Sequence, residues 1–199
     1  MLKSWYVPIL ALAAVTAVGL GAGLWWHQRG VQSANPYEHL GGDFTLASAG
    51  GPVSLADYRG RAVMLFFGYT TCPDVCPMDL AKISAVISQL PEEEAQKVTG
   101  LFVSVDTERD TPQRTAEYAA FFHPQITGVS GSAQAVDAVA KQYYVLYQKV
   151  EDAGSALGYT VDHSATTYLI GPKGKVRNLL KHDATVAEMT EAVRKVLAG

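Results

Sequence analysis

The only two cysteines of this 199-residue chain, Cys72 and Cys76, lie between an apolar run and a segment with helical periodicity. Residues 62–67 (AVMLFF) predict a buried strand, and residues 79–87 repeat apolar side chains at the spacing of a helix face. The thiols therefore lie where a core strand ends and a helix begins. Free amide groups and the positive end of a helix dipole lower the pKa of a thiol at such a place, which favours the reactive thiolate.

A cysteine pair at this spacing could be a structural disulfide, a redox-active dithiol or two thiolate ligands for a soft metal such as Cu(I). If both cysteines are helical, the four-residue separation puts the sulfurs one turn apart on the same face. That distance also permits a disulfide after modest local adjustment. A disulfide that closes so short a loop restricts the unfolded chain little, so a purely structural role is disfavoured. The spacing leaves redox chemistry and metal binding open.

The N-terminal residues differ in composition from the rest of the chain. Residues 4–26 contain no charged side chain, and residues 7–26 supply 20 mostly apolar positions. That length spans a hydrocarbon core of roughly 30 Å. A cleaved signal peptide is the alternative, but the run is longer than a typical signal h-region. We therefore expect residues 1–29 to form one uncleaved transmembrane anchor and residues 30–40 to form a tether.

Residues 41–199 are expected to form one domain with a sizeable core. Predicted strands cover residues 44–46, 53–55, 62–67, 101–105, 126–129, 145–150, 159–161, 167–170 and 176–180. Predicted helices follow the cysteines as far as about residue 90 and then cover residues 111–122, 133–143 and 186–197. This order predicts an α/β domain, in which a mixed β-sheet carries helices on both faces.

Charge and motif content exclude several classes of function. The formal net charge of −3 argues against nucleic acid as a partner. The chain contains no glycine-rich phosphate loop, no His-Glu-x-x-His segment and no serine nucleophile elbow. The cysteine pair therefore remains as the strongest candidate for chemistry.

Three segments resemble the Sco/SenC family of copper chaperones, which have a thioredoxin-like fold: residues 68–77 (GYTTCPDVCP), 104–112 (SVDTERDTP) and 161–169 (VDHSATTYL). The resemblance extends from about residue 44 to the C-terminus. It implies a single copper ion, held as Cu(I) and also as Cu(II), with Cys72, Cys76 and His163 as the ligands. Three separate motifs in the family's order are more specific than the cysteine pair alone.

The resemblance also implies a function and partners. The function is assembly of the dinuclear copper site of cytochrome c oxidase subunit II, through ligand exchange between thiolates of the two proteins. An oxidised Cys72–Cys76 pair cannot bind the metal, so a thiol reductant is an expected partner, beside a periplasmic copper donor. Together with the N-terminal anchor, this implies a single-pass protein of the bacterial inner membrane whose larger part faces the periplasm.

A membrane-tethered thiol–disulfide reductase is the alternative function, with Cys72 and Cys76 as the catalytic pair and the cysteines of the same oxidase subunit as substrate. Two features disfavour it, so the sequence favours a metallochaperone over an enzyme. Oxidoreductases usually carry Cys-x-x-Cys, and Ala165 takes the place at which similar reductases carry a cis-proline. A thiol peroxidase is disfavoured further, because no arginine accompanies Cys72 in its loop.

Charged residues near these motifs allow more than one role. Asp106, Arg109 and Asp110 could form an ion-pair cluster that supports the cysteine loop, could be a docking surface, or could cap a turn and a helix. Asp74 is expected to be a loop residue at a helix start, not a ligand.

His163 precedes a predicted strand, and in a thioredoxin-like sheet its loop faces the cysteine loop. Asp162 or Ser164 could bond the second nitrogen of the His163 imidazole, or could only cap local backbone groups.

Overall fold

The structure is a computed structural model, and the residues that it describes are Gly19, Leu20, Gly23, 35–152, Gly154 and 157–199. The chain divides into the units Met1–Pro36 and Tyr37–Gly199. The predicted anchor lies almost entirely outside the described residues. Among those that are described, no helix has the length and apolar character needed to span a membrane.

Strands and helices follow the predicted order along the second unit. The strands are β1 (Thr45–Ser48), β2 (Gly51–Ser54), β3 (Ala62–Gly68), β4 (Val98–Ser104), β5 (Ile126–Val129), β6 (Tyr147–Glu151), β7 (Tyr159–His163), β8 (Thr166–Ile170) and β9 (Val176–Lys181). The helices are α1 (Val75–Gln89), the short α2 (Glu92–Ala95), α3 (Pro112–Phe122), α4 (Ala133–Gln142) and α5 (Val186–Ala198), with a 3-10 turn at Leu55–Tyr58.

The start of β4 is the main difference from the prediction. The strand begins at Val98, three residues before the predicted start at residue 101. Gly100 weakens the strand pattern in the sequence, yet a Cβ at that position would lie 2.9 Å from the Ile126 side chain. The glycine is therefore needed for close packing inside the sheet. Because it has no side chain, it also interrupts the hydrophobic pattern, and the sequence did not predict the first three residues of the strand.

A five-stranded sheet in the order β5-β4-β3-β8-β9 forms the centre of the unit and confirms the predicted mixed sheet. β3 pairs parallel to β4 and antiparallel to β8. The ends of β3 and β4 and the start of β8 therefore meet at one edge of the sheet. The three sequence motifs lie at this edge, because two of them leave β3 and β4 and the third enters β8.

The core covers both faces of the sheet. All seven residues of β3 and of β4 are buried, and their side chains alternate between the faces. On one face the Phe102 ring lies 5.6 Å from the ring of Tyr118 in α3. On the other face the Phe67 ring lies 5.7 Å from the ring of Tyr143, which ends α4. Helices thus contribute to both faces, as the sequence predicted.

We expect the substitution Gly128→Ala to destabilise the fold, because a Cβ on β5 would lie 2.0 Å from the carbonyl oxygen of Thr115 in α3. Separating the two backbones should lower the free energy of unfolding by about 2–3 kcal/mol. Gly50→Ala, in the β1–β2 turn, is the matched control, because a Cβ at that position would lie in open space. Its free energy of unfolding should stay within about 0.5 kcal/mol of the wild-type value. Urea denaturation measures both; equal stability of the two variants would contradict the prediction.

Candidate metal centre

The two cysteines occupy different environments at the start of α1. Cys72 lies half-buried in the loop before the helix, and Cys76 is fully buried as its second residue. The side chain of Asp74, at the helix N-cap, makes no capping hydrogen bond. Instead, the Cys76 N–H donates to the sulfur of Cys72 at 3.4 Å. Only Cys76 is helical, while the Cys72 sulfur lies at the helix N-terminus, where amide donors favour a thiolate.

His163 ends β7 and directs its imidazole at the sulfurs. Its Nε2 lies 3.2 Å from the sulfur of Cys76, and its Nδ1 lies 3.3 Å from the carbonyl oxygen of Ser164. When Nδ1 carries the proton and donates to that carbonyl, Nε2 presents its lone pair to the site. The rings of Phe66 and Tyr69 meet the imidazole edge-on, with centroids 6.0 and 5.8 Å away. The imidazole is thus enclosed by aromatic rings and oriented by a backbone carbonyl.

The donor atoms of Cys72, Cys76 and His163 all lie within 4.8 Å of one another, so the three side chains could hold one metal ion. Close packing fixes the buried sulfur. A Cβ at Gly68 would lie 2.6 Å from the sulfur of Cys76, so the sheet approaches that sulfur as closely as a glycine allows. A cavity of about 310 Å³ between the cysteine loop and β7 has Cys72 and His163 in its wall, together with Ala165 from the β7–β8 connection.

The two thiols differ in acidity. A hydrogen bond from the Cys76 thiol, with a smaller contribution from His163, lowers the pKa of Cys72 to about 3. The same hydrogen bond and burial raise the pKa of Cys76 above its usual range. Without a metal, the pair therefore shares one proton, which stays on Cys76 while Cys72 is a thiolate. A metal ion that displaces this proton gains two thiolates and an imidazole.

Buried carboxylates support the surroundings of the site. Asp110, only 2% exposed, accepts hydrogen bonds from the Thr70 N–H at 2.8 Å and from the hydroxyls of Thr70 and Ser104. Asp110 therefore ties the cysteine loop to the end of β4. Asp106 forms an ion pair with Arg109, and both residues also contact β7. Of the roles that the sequence left open, these contacts favour the supporting cluster.

One further pair near the cysteines went unpredicted. Asp79, buried on α1 three residues after Cys76, lies 2.9 Å from Nδ1 of His182. It also forms an ion pair with Lys82, and the Lys82 amine donates to the carbonyl of His182. This cluster fastens α1 to the turn after β9. The one signal in the sequence was a carboxylate on the apolar face of the predicted helix, and it did not identify a partner 103 residues away.

Fold and site together define a class: a thioredoxin-like domain that presents two cysteines and a histidine at the edge of its sheet. The sequence model of the SCO1/SenC family matches residues 32–198. The chain belongs to the SCO1/SenC family.

Mitochondrial relatives are similar over most of this chain but are longer. The SCO2 homologue of Bos taurus is 40% identical over 163 residues, which cover 79% of this chain and 60% of the relative. The SCO1 homologue 1 of Arabidopsis thaliana is 38% identical over 157 residues, which cover 78% of this chain and 46% of the relative. The chain therefore spans about half to three fifths of the length of these relatives.

Solved structures of the family include copper-bound forms. Arabidopsis thaliana ScoI with copper bound is 37% identical, with a TM-score of 0.74 over 80% of this chain and 98% of that one. Bradyrhizobium japonicum ScoI with copper bound is 35% identical, with a TM-score of 0.70 over 79% of this chain and 99% of that one. BsSco, in which a disulfide switch was identified, shares the fold at 24% identity, a TM-score of 0.64 and coverage of 84% and 98%.

The donor atoms of this chain point to copper independently of the copper-bound relatives. Thiolate sulfurs are soft ligands that select Cu(I), and imidazole nitrogen suits copper in both oxidation states. The copper-bound relatives and the cluster of Cys72, Cys76 and His163 confirm copper as the expected metal.

We expect alkylation to separate the two thiols in the reduced, metal-free, full-length protein. Because the lowered pKa keeps Cys72 a thiolate above about pH 3, its labelling rate by iodoacetamide should change little between about pH 5 and pH 8. The alkylation rate of an ordinary thiol falls by about tenfold for each unit that the pH is lowered over that range, because its thiolate fraction falls by the same factor. Buried Cys76 should be labelled only after denaturation, and mass spectrometry of the two peptides measures both.

The variant Cys76→Ala tests the cause of this difference. It removes the hydrogen bond that contributes most to the low pKa of Cys72. The pKa of Cys72 should therefore rise, and its labelling should become slower at about pH 5 than at about pH 8. A Cys72 rate that follows ordinary thiol behaviour in both proteins would contradict the assignment.

Proposed function

We propose that this protein is a membrane-anchored copper chaperone that carries one copper ion on Cys72, Cys76 and His163. Its acceptor is the dinuclear copper site of cytochrome c oxidase subunit II. The observation that carries the proposal is the set of two soft sulfur atoms and one imidazole nitrogen within 4.8 Å of one another. Copper-bound Sco structures support the metal, and BsSco is a member of a family of cytochrome c oxidase assembly proteins, which supports the acceptor.

The unequal burial of the ligands suits an ordered handover. Cys72, in the wall of the cavity, is the sulfur that an incoming thiolate of the acceptor reaches first. Exchange there replaces one copper–sulfur bond by another and needs no oxidant or reductant. His163 and then Cys76, the fully buried ligand, release the ion, and Cys76 regains its proton.

Oxidation of the pair would stop this cycle. A disulfide between Cys72 and Cys76 removes two electrons and the remaining proton from the pair and leaves neither thiolate for copper. A thiol reductant is therefore a necessary partner wherever the pair is exposed to oxidants, and a copper donor is the second. Both partners belong in the periplasm if residues 1–29 anchor the chain in a bacterial inner membrane, with residues 30–40 as tether and 41–199 as the Sco domain. The apolar run of residues 7–26 supports that placement.

A thiol–disulfide reductase is the second candidate, and the unequal acidity of the thiols favours it. The Cys72 thiolate would attack a substrate disulfide and form a mixed disulfide while one substrate thiolate leaves. Cys76 would then lose its proton and attack the Cys72 sulfur, which releases the second substrate thiolate. The substrate disulfide is reduced by two electrons, and the Cys72–Cys76 pair is oxidised by the same two.

An anaerobic Cu(I) titration of the reduced full-length protein against a competing chelator tests the chaperone function. Wild type should bind one equivalent tightly, and Cys72→Ser or Cys76→Ser should abolish tight binding. Loss of a residue that only hydrogen-bonds a metal ligand typically lowers metal affinity roughly 10–100-fold. Because His163 is a proposed ligand itself, His163→Ala should lower Cu(I) affinity by more than that. His39→Ala, at an exposed histidine, is the matched control and should bind as wild type does.

Disulfide reduction needs both cysteines but not the imidazole, so His163→Ala distinguishes the two functions. Copper binding that collapses in this variant while disulfide reduction is unchanged assigns the three-ligand site to copper. Equal copper affinity in wild type and His163→Ala would refute the chaperone site and favour the reductase.

A further inference from the structure

The strand that carries His163 is not part of the central sheet. In the part of the chain that the structure describes, β7 pairs with β6 alone, in a two-stranded sheet, whereas both cysteines follow β3 of the central sheet. Main-chain pairing within the central sheet therefore does not hold the imidazole near the sulfurs. Only Ser164 and Ala165 separate His163 from β8, so the distance between Nε2 and the cysteine sulfurs depends on that connection and on whatever fastens the β6–β7 hairpin to the rest of the unit.

Three side chains fasten β7 at the end opposite His163, and we call Asp106, Arg109 and Tyr159 the clamp. The Tyr159 hydroxyl donates to Oδ1 of Asp106 at 2.8 Å, and Nη1 of Arg109 donates to the Tyr159 carbonyl at 3.0 Å. The Arg109 guanidinium also lies over the Tyr159 ring, 3.6 Å from its centroid, and forms an ion pair with Asp106. Arg109 thus contacts the backbone and the ring of Tyr159, and Asp106 accepts a hydrogen bond from its hydroxyl.

The second strand of the hairpin is fastened to the same segment. Lys149 on β6 places its amine 4.0 Å from the centroid of the Tyr159 ring, and it pairs with Glu108 at 2.9 Å. Two cations, the guanidinium of Arg109 and the amine of Lys149, therefore lie against the Tyr159 ring. Asp106 is 4% exposed, and the side chain of Arg109 is 18% exposed, so the ion pair at the centre of the clamp is largely shielded from water. Loss of either partner would leave a buried charge unpaired, which is costly.

The geometry of β7 transmits this attachment to the metal site. Tyr159, Val161 and His163 alternate with Thr160 and Asp162 along the strand, so their side chains point to the same side of it. Val161 is buried. All five residues of β7 pair in register with β6 from Tyr159 to His163, so the strand moves as one body. A change at Tyr159 should therefore displace the imidazole four residues later.

We propose that Asp106, Arg109 and Tyr159 are positioning residues that hold His163 as the third copper ligand. We expect the clamp to contribute to copper affinity mainly through the imidazole. Arg109 also lies 5.8 Å from the centroid of the Tyr69 ring in the cysteine loop, so double variants with His163→Ala separate the two routes. This proposal rests on the proposed function, because it concerns the same three-ligand site. It also assigns a role to the 104–112 motif. The carboxylates of Asp106 and Asp110 in this motif are buried, which does not suit a docking surface.

The first test measures Cu(I) affinity of the full-length protein by competition with a chelator. Arg109→Gln should lose at least about tenfold in affinity, and Tyr159→Phe, which keeps the ring and the backbone bonds, should lose less. The matched controls are Arg59→Gln, which breaks an exposed ion pair with Asp43, and Tyr58→Phe, which removes a hydrogen bond to Thr127. Both controls should bind copper as wild type does.

Each clamp variant is then combined with His163→Ala. If the clamp acts through the imidazole, Arg109→Gln should cause no further loss, to within about twofold, once His163 is absent. The same tenfold loss in the His163→Ala background would show that Arg109 acts on the thiolates or on the fold, and it would overturn the proposal. In Cu(II)-loaded protein, the nitrogen hyperfine coupling should weaken in Arg109→Gln and persist in Arg59→Gln.

Hydrogen exchange of the metal-free protein tests the clamp without copper. Amides of residues 159–163 should exchange at least about tenfold faster in Arg109→Gln and Tyr159→Phe than in wild type, while those of β3 remain unchanged. Unchanged exchange in β7 would overturn the proposal. If wild type failed to bind copper at all, the proposed function would fail, and the exchange data would still decide whether the clamp holds the hairpin.

Discussion

Close packing between the end of β3 and the first turn of α1 is the constraint on which the site depends. The Cys76 sulfur fills the space that a Cβ at Gly68 would need, so this thiol is part of the hydrophobic core and not of a surface loop. Core side chains have little freedom to move without a loss of contacts. One donor atom of the candidate site is thereby fixed to the sheet, and it fixes in turn the place at which the other two candidate ligands must arrive.

The other two ligands reach that place on supports of their own. The loop that contains Cys72 is held by Asp110 through the backbone and hydroxyl of Thr70. His163 arrives on a hairpin outside the central sheet, so its support consists of main-chain bonds to β6, the short connection to β8 and the side chains that fasten the hairpin. The site thus combines a buried sulfur, a half-buried sulfur and an imidazole on a separately anchored strand. Such a difference in rigidity among the three side chains suits the proposed function, in which the site binds an ion tightly and releases it to an acceptor.

Local sequence was enough to predict the elements and to select the two cysteines as candidates, but not the third candidate ligand or the supports of the site. The apolar run before Cys72 predicted β3 because a strand buried on both faces is continuously hydrophobic. His163 became a candidate only through resemblance to a family, since a single histidine carries no local signal. Contacts such as Tyr159 with Asp106, or His182 with Asp79, join residues 53 and 103 positions apart. They depend on how the hairpin and α1 dock, which local periodicity does not determine.

The protonation of the cysteine pair also bears on the oxidation state of its metal. Without a metal, a Cys72 thiolate beside a protonated Cys76 gives the pair one negative charge. Cu(I) bound to two thiolates gives the same net charge, because the ion replaces one proton of equal charge. The electrostatic cost of burial therefore changes little when Cu(I) enters, whereas Cu(II) adds one positive charge to a partly buried cluster. The cluster with Cu(II) would have no net charge, and burial of a neutral cluster is not penalised, so the preference for Cu(I) rests on the softness of the thiolates.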